Sequence, residues 1–309
     1  MTLRGRDYLS VDDLSPDELR AVLHFGADLK ARHRAGERPP LLAGKTLAMV
    51  FEKPSLRTRV SFETGMFQLG GMAIYLGPQE IQLGVRESVT DAARNLERFA
   101  DAIMARTFAH ATVVELAEGA RCPVINGLSD HEHPCQALGD LLTIGERFPR
   151  WEDVRLAWVG DGNNVCHSLL LGAAKLGMTM RVASPRGYTP AEGVVDRARA
   201  IAAMTGATIA LVADPGEAVA GADVVYTDVW TSMGQEAERE ERARVFRPYQ
   251  VNATLLRGAK PTAVVMHCLP AHRGEEITDD VLDGPQSVVY DQAENRLHAQ
   301  KALLAMLMA

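Results

Sequence analysis

Five short segments of the chain combine residue types that do chemistry at spacings that let them act together. The first is Phe51-Glu52-Lys53-Pro54-Ser55-Leu56-Arg57-Thr58-Arg59. Pro54 and Ser55 suit the entry to a helix, whose first backbone N–H groups lack intrahelical partners and can face an anion. Ser55 and Thr58 add hydroxyl donors, and Arg57 adds a guanidinium fork matched to phosphate oxygens. An ordinary N-cap with solvent-facing arginines would use the same residues. The second segment is His131-Glu132-His133-Pro134-Cys135-Gln136. Two histidines and a cysteine invite a metal, but His131 and His133 stand two apart and no second cluster completes a tetrahedral set. His133 donating to a substrate oxygen, with Gln136 offering donor and acceptor, fits better. The plain alternative is a capped helix start with a buried histidine.

The third segment, Val159-Gly160-Asp161-Gly162-Asn163-Asn164-Val165, begins like a dinucleotide fingerprint. Its sixth position is Val165 where glycine or alanine should allow helix and strand to pack, and no acidic residue closes the next strand, Val182-Ala183-Ser184-Pro185-Arg186. A nicotinamide cofactor is disfavoured, leaving a tight turn that presents Asn164. The fourth, Asp228-Val229-Trp230-Thr231-Ser232-Met233-Gly234, offers a carboxylate for a ligand ammonium and a glycine-bearing loop that could bind a carboxylate or close as a lid. A simple surface loop is the alternative. The fifth, His267-Cys268-Leu269-Pro270-Ala271-His272-Arg273-Gly274, invites a thiolate nucleophile at Cys268. No group that would stabilise a thiolate is evident, so a positioning role or a buried thiol is expected. Glu294-Asn295-Arg296 adds one more cation at the start of the last helical pattern.

Apolar runs that would position these segments recur along the chain. Strands are expected at Thr46–Phe51, Ala73–Leu76, Ala102–Ala105, Val124–Asn126 and Arg155–Val159, then at Thr179–Ala183, Thr208–Val212, Val224–Thr227, Ala263–His267 and Ser287–Tyr290. They are aliphatic or β-branched with little polar alternation, as expected of parallel strands covered on both faces. The segments between them read as helices. Phe62, Met66 and Leu69 make one apolar stripe, and Ser15-Pro16-Asp17-Glu18 and Thr189-Pro190-Ala191-Glu192 carry helix-start signals. Strand–helix alternation predicts an α/β protein with parallel sheets and right-handed crossovers. The dense charge run Glu236–Arg244 reads as a solvated helix face, with a part in loop motion as the second reading.

A chain of 309 residues, 47% hydrophobic, suggests two domains. The expected division is 1–148 and 149–309, joined by a long helix from Pro134 to Arg147, with a C-terminal helix at about 291–308 packing back on the first domain. A net charge of −7 excludes a general nucleic-acid binder. The polar stretch Met1–Ser10 does not resemble a secretory signal, and no apolar run is long enough to span a bilayer. Cys122, Cys135, Cys166 and Cys268 are widely spaced with no C-x-x-C pair, which suits reduced thiols in a cytoplasmic protein.

Together the five segments resemble the aspartate/ornithine carbamoyltransferase family, and specifically its ornithine branch. FEKPSLRTR is similar to the family's carbamoyl-phosphate motif, HPCQ to its carbamoyl-binding motif, and DVWTSMG with HCLPAHRG to the ornithine-side signatures. There is one departure: Leu56 stands where the family usually has threonine, which removes a hydroxyl but keeps a backbone N–H.

The resemblance implies that Ser55, Leu56 through its backbone, Arg57 and Thr58 bind the phosphate of carbamoyl phosphate. Gln82 would approach the same ligand from a neighbouring subunit of a trimer. Arg106, His133 and Gln136, with Pro134 and Cys135 of the same motif, would hold the carbamoyl group. Asn164, Asp228, Ser232 and Met233 would bind ornithine, and Cys268, Leu269 and Arg296 would complete the floor between the substrates. Arg57, Arg106, His133 and Cys268 would be the catalytic set. The implied reaction is attack of a neutral δ-amine on the carbamoyl carbon, giving citrulline and phosphate, with no metal or organic cofactor. Putrescine or N-acetylornithine as acceptor is the alternative within the family.

Overall fold

The computed structural model describes residues 3–232 and 234–309. The chain forms two compact units, one comprising Met1–Leu142 with Glu294–Ala309 and the other Thr143–Ala293. The first unit carries β1 (Thr46–Phe51), β2 (Met72–Leu76), β3 (Ala102–Arg106) and β4 (Val124–Leu128), all parallel, in the order β2-β1-β3-β4. Its apolar core sets Ala48, Val50, Ile103 and Ala105 of the sheet against Val113 and Leu116 of the helix His110–Gly119. The outer side of β4 is covered by the N-terminal segment: Tyr8 N donates to Val124 O, and Asn126 N donates to Tyr8 O, both at 2.8 Å. Such cover removes an open sheet edge.

The second unit carries β5 (Arg155–Val159), β6 (Thr179–Ala183), β7 (Thr208–Val212), β8 (Val224–Thr227) and β9 (Val264–His267). These are again parallel, in the order β7-β6-β5-β8-β9. Ala157, Val159, Val225 and Val265 meet Ile277, Val281 and Leu282 in its core. Both units are thus α/β layers, and in each the chain order reverses beside a central strand, between β1 and β3 and between β5 and β8. In open parallel sheets the loops leaving such a reversal diverge and leave a crevice at the carboxyl ends of the strands, where ligands bind.

The expected helix start at Ser15 is realised with its full reciprocal cap: Glu18 N donates to Ser15 Oγ, and Ser15 N to Glu18 Oε2. Phe62, Met66 and Leu69 are buried along the helix Leu56–Gln68 and its C-cap. Two local expectations are corrected. Thr189 does not cap a helix; the helix begins at Glu192, because Pro190 is packed against Gly162, where a Cβ would lie 2.1 Å from the proline nitrogen. The N–H of Ala191 is taken up by His167 Nε2 at 3.0 Å. Ser287–Tyr290 is not a strand: it makes one bridge to Val265, and the helix Val289–Met308 then begins.

Candidate active site

In the first unit the candidate residues converge on the β1/β3 reversal. Phe51 and Arg106 are register partners at the carboxyl ends of the two strands. Beyond β1 the chain turns into the helix Leu56–Gln68, whose N-cap Ser55 accepts from Thr58 N at 3.3 Å. Leu56 is exposed at the first helical position, so its side chain is spare while its backbone belongs to the helix N-terminus. Thr58 and Arg106 are buried. A second helix N-terminus, at Pro134, brings in the HPCQ segment.

Arg296 ties the two helix starts together. Its Nη1 donates to Gln136 Oε1 at 2.7 Å, its Nη2 to Thr58 Oγ1 at 3.2 Å, and its Nε to Gln300 Oε1 at 3.0 Å. Gln136 in turn donates to Asp140 Oδ1 at 2.8 Å. The close approach requires Gly139, where a Cβ would meet Arg296 backbone atoms at 3.2 and 3.3 Å. A guanidinium that is 2% exposed with all three nitrogens engaged is fixed in place before any ligand arrives.

His133 is buried beside these cations. Burial first, then Arg296, Arg106, Arg57 and Lys53, hold its pKa well below the ordinary histidine value. The ring is therefore neutral at physiological pH and offers an uncharged N–H to a carbonyl oxygen. His131, two residues earlier, is exposed and lies beside the His110 ring, so the pair does not converge on a metal. The thiol of Cys135 is pushed up to about 12 by burial and donates to Asn126 O, which commits that side chain to the core. The Pro134 carbonyl accepts from Tyr8 Oη at 3.4 Å. Gln82 lies on an exposed loop, in left-handed conformation after the short helix Pro78–Ile81.

Sequence reasoning gave no role to Lys53. It is buried, its ammonium sits 4.7 Å from the centre of the Phe108 ring, and burial followed by the charge of Arg106 lowers its pKa. Its motif position was the available signal.

The second unit has its own cluster at the β5/β8 reversal. Asp228, directly after β8, is 5% exposed and accepts three hydrogen bonds. They come from Asn163 Nδ2 at 2.7 Å, Cys268 Sγ at 2.9 Å and Val229 N at 2.8 Å. All three donors are neutral groups, and together they orient the carboxylate. One of these donors, Asn163, was not among the residues singled out from the sequence. It caps the helix Asn164–Leu176 by accepting from Val165 N and Cys166 N with Oδ1, leaving its amide N–H for Asp228. An asparagine immediately before a helical run was the missed signal. Asn164 opens that helix, half-buried.

Cys268 and Leu269 belong to this unit, at the end of β9, rather than to the unit that holds Ser55 and Arg106. Leu269 has φ +58°, an uncommon conformation for leucine. Its N–H donates to His267 Nδ1 at 2.8 Å, while His267 Nε2 meets the buried carboxylate of Glu276 at 3.0 Å. The proton therefore sits on Nε2. Metal-type atoms of Asp228, His267 and Cys268 lie within 4.8 Å of one another, but hydrogen bonds already occupy all three side chains. Ser232 is half-buried, and its N–H donates to Gln235 Oε1. Met233 lies outside the described residues. In the charge run, Arg239, Glu240, Glu241 and Arg244 are exposed as expected, but Arg242 is buried.

Comparison with known proteins agrees with this two-part arrangement. Residues 6–146 match the carbamoyl-P binding domain of aspartate/ornithine carbamoyltransferase, and residues 152–307 match its Asp/Orn binding domain. An ornithine carbamoyltransferase of Anoxybacillus flavithermus is 56% identical over 306 residues, covering 99% of this chain and 98% of that protein. The solved ornithine carbamoyltransferase of Pyrococcus furiosus superposes with a TM-score of 0.98 at 55% identity, covering 100% of this chain and 98% of that one. A Thermus thermophilus ornithine carbamoyltransferase structure gives 0.89 at 48% identity, covering 98% and 99%. The two matched domains and the clusters at both sheet reversals lead to one conclusion: the chain belongs to the aspartate/ornithine carbamoyltransferase family.

Proposed function

We propose that the protein transfers the carbamoyl group of carbamoyl phosphate to the δ-amine of L-ornithine, giving L-citrulline and phosphate. The observation that carries this reading is the division of chemistry between the two reversals. One presents two helix N-termini with Arg57, Arg106 and Arg296 around an uncharged His133, as the mixed anhydride carbamoyl phosphate would require. The other presents an oriented carboxylate, Asp228, held by neutral donors, as an amino acid would require. In this reading the first unit is the carbamoyl phosphate-binding domain and the second the ornithine-binding domain.

Ser55, the Leu56 backbone, Arg57 and Thr58 take the phosphate, and Arg106, His133 and Gln136 the carbamoyl oxygen and nitrogen. Asn164, Asp228, Ser232 and Met233 hold ornithine. Cys268 and Leu269 line the ornithine side, and Arg296 the carbamoyl phosphate side. Donors to the carbonyl oxygen stabilise the oxyanion as the neutral amine attacks; the C–O bond to phosphate then breaks, the departing phosphate takes the amine proton on its own oxygen, and its charge is met by Arg57 and the helix N-terminus. Holding amine and carbonyl carbon about 3–3.5 Å apart supplies much of the rate.

Two further parts of the reading concern assembly and place. Gln82 is contributed by a neighbouring subunit of a trimer, which is in keeping with Val60, Phe67, Met72 and Ile74 being exposed on and beside β2. No helix among the described residues is long and apolar enough to cross a membrane, and the four cysteines are free thiols, in keeping with a cytoplasmic enzyme of arginine biosynthesis. The decisive assay offers ornithine, putrescine, N-acetylornithine and aspartate in parallel with carbamoyl phosphate. Citrulline from ornithine, with the other three inert, is the expected result; turnover of another amine instead would overturn the assignments of Asp228 and Ser232.

A further inference from the structure

We infer that Arg242 is a positioning residue for the amino-acid half-site, acting through the two loops that hold Asp228. The inference rests on the carbamoyl transfer reading above. Arg242 sits in the helix Arg239–Phe246, inside the charge run, yet is only 6% exposed. Its Nη1 donates to Asp161 Oδ2 at 2.9 Å and to the Trp230 carbonyl at 3.0 Å. Its Nε donates to Glu238 Oε2 at 2.9 Å, and the guanidinium lies 4.9 Å from the centre of the Tyr188 ring.

The first two acceptors are the telling ones. Asp161 stands two residues before Asn163, whose amide donates to Asp228, and Trp230 stands two residues after Asp228. The contacts therefore close a ring: from Asp161 along the turn to Asn163, across to Asp228, along the loop to Trp230, and back through one guanidinium. The Trp230 ring, 3% exposed, is stacked near Phe246, and Phe246 meets Tyr188 edge-on at 4.8 Å, so the ring is backed by an aromatic wall. A solvated helix face has no use for a guanidinium buried in this way. Burying one is unfavourable unless its donors are met. Here they are met by the ends of the two segments whose spacing sets where Asp228 points. A lysine has one ammonium in place of the Nη1 and Nε pair, so it cannot keep the two loop acceptors and Glu238 together.

The test measures steady-state kinetics of the full-length wild type, Arg242→Lys and Arg242→Met, with thermal melts of each. The expected result is that the KM for ornithine rises about tenfold or more in Arg242→Met and by a smaller factor in Arg242→Lys, while the KM for carbamoyl phosphate stays within about twofold. Should Arg242→Met fail to fold, the same split in Arg242→Lys carries the result. An unchanged ornithine KM in a folded variant would overturn the inference. So would a drop in kcat that merely follows the folded fraction, with both KM values unmoved, since that is the mark of a structural residue. A wild type that makes no citrulline from ornithine would instead overturn the underlying functional reading.

Discussion

A single side chain, Arg296, shows how much of this half-site depends on atoms far apart in the sequence. Its three nitrogens reach Thr58, Gln136 and Gln300, so one guanidinium sets the geometry of two helix starts. Arg57 is half-buried at the second position of its helix, beside the helix N-terminus. Arg57→Ala is accordingly expected to lower kcat/KM for carbamoyl phosphate by at least about 10²–10³, the usual effect of losing one charge-stabilising donor. Its melting temperature should stay within about 2–4 °C of wild type, as for a change costing less than about 1 kcal/mol. Near-normal turnover by Arg57→Ala would remove the phosphate assignment. At this scale the types of Arg57, Arg106 and His133 were legible from their motifs. The burial and neighbouring charge that keep His133 uncharged were not, because the cations come from three separate segments, Lys53 with Arg57, Arg106 and Arg296.

Among the elements, the helix Val289–Met308 carries an ionisable group that titrates against the fold. His298 is buried on this helix, with the His33 ring at 5.5 Å and Glu294 Oε1 at 3.4 Å from Nε2. Burial first, then Lys301, Lys30, His33 and Arg34, bring its pKa down to about 3. The native state therefore stays unprotonated at His298 while the unfolded chain takes up a proton below pH 6.5. The stability this withholds is intact above that value and is lost as pH falls from 6.5 towards 3. His298→Gln is expected to flatten that part of the stability–pH curve, read from denaturant unfolding at several pH values; equal slopes for variant and wild type would refute the assignment. The turn after β5 gives a second expectation. At Gly162 a Cβ would stand 2.1 Å from the Pro190 nitrogen, so Gly162→Ala forces backbone apart. A loss of about 1–3 kcal/mol, typical of overpacking, should appear in chemical denaturation, together with a higher ornithine KM as the Asn163 contact loosens.

For the molecule as a whole, the chain leaves the first unit at Leu142 and re-enters it at Glu294, both times inside a helix. The last sixteen residues are thus core of the first unit, with Ala299, Ala302, Leu303 and Leu304 fully buried and Lys301 donating to Gln68 Oε1. A chain ending at Ala293 would lose these contacts along with Arg296. It is expected to lose the cooperative transition of the first unit, and with it carbamoyl phosphate-dependent thermal stabilisation. A truncated protein that melts as wild type does, and is still stabilised by carbamoyl phosphate, would contradict the placement of this helix.

The amino-acid sequence alone determined that this is a parallel α/β protein in two parts, because apolar runs without polar alternation have few other ways to be covered. It determined the chemistry on offer, because motif residues keep their types wherever they are placed. Tertiary structure decided what no local pattern encodes. Asn163 donates to Asp228 across 65 residues, while its side-chain oxygen caps a helix. Thr189 is no cap, because Pro190 is claimed by a glycine 28 residues earlier in the chain. A charge run that is mostly solvated hides one buried arginine, since the face of a helix is set by what it packs against. In each case the deciding partner is distant in sequence, and burial rather than propensity chose it.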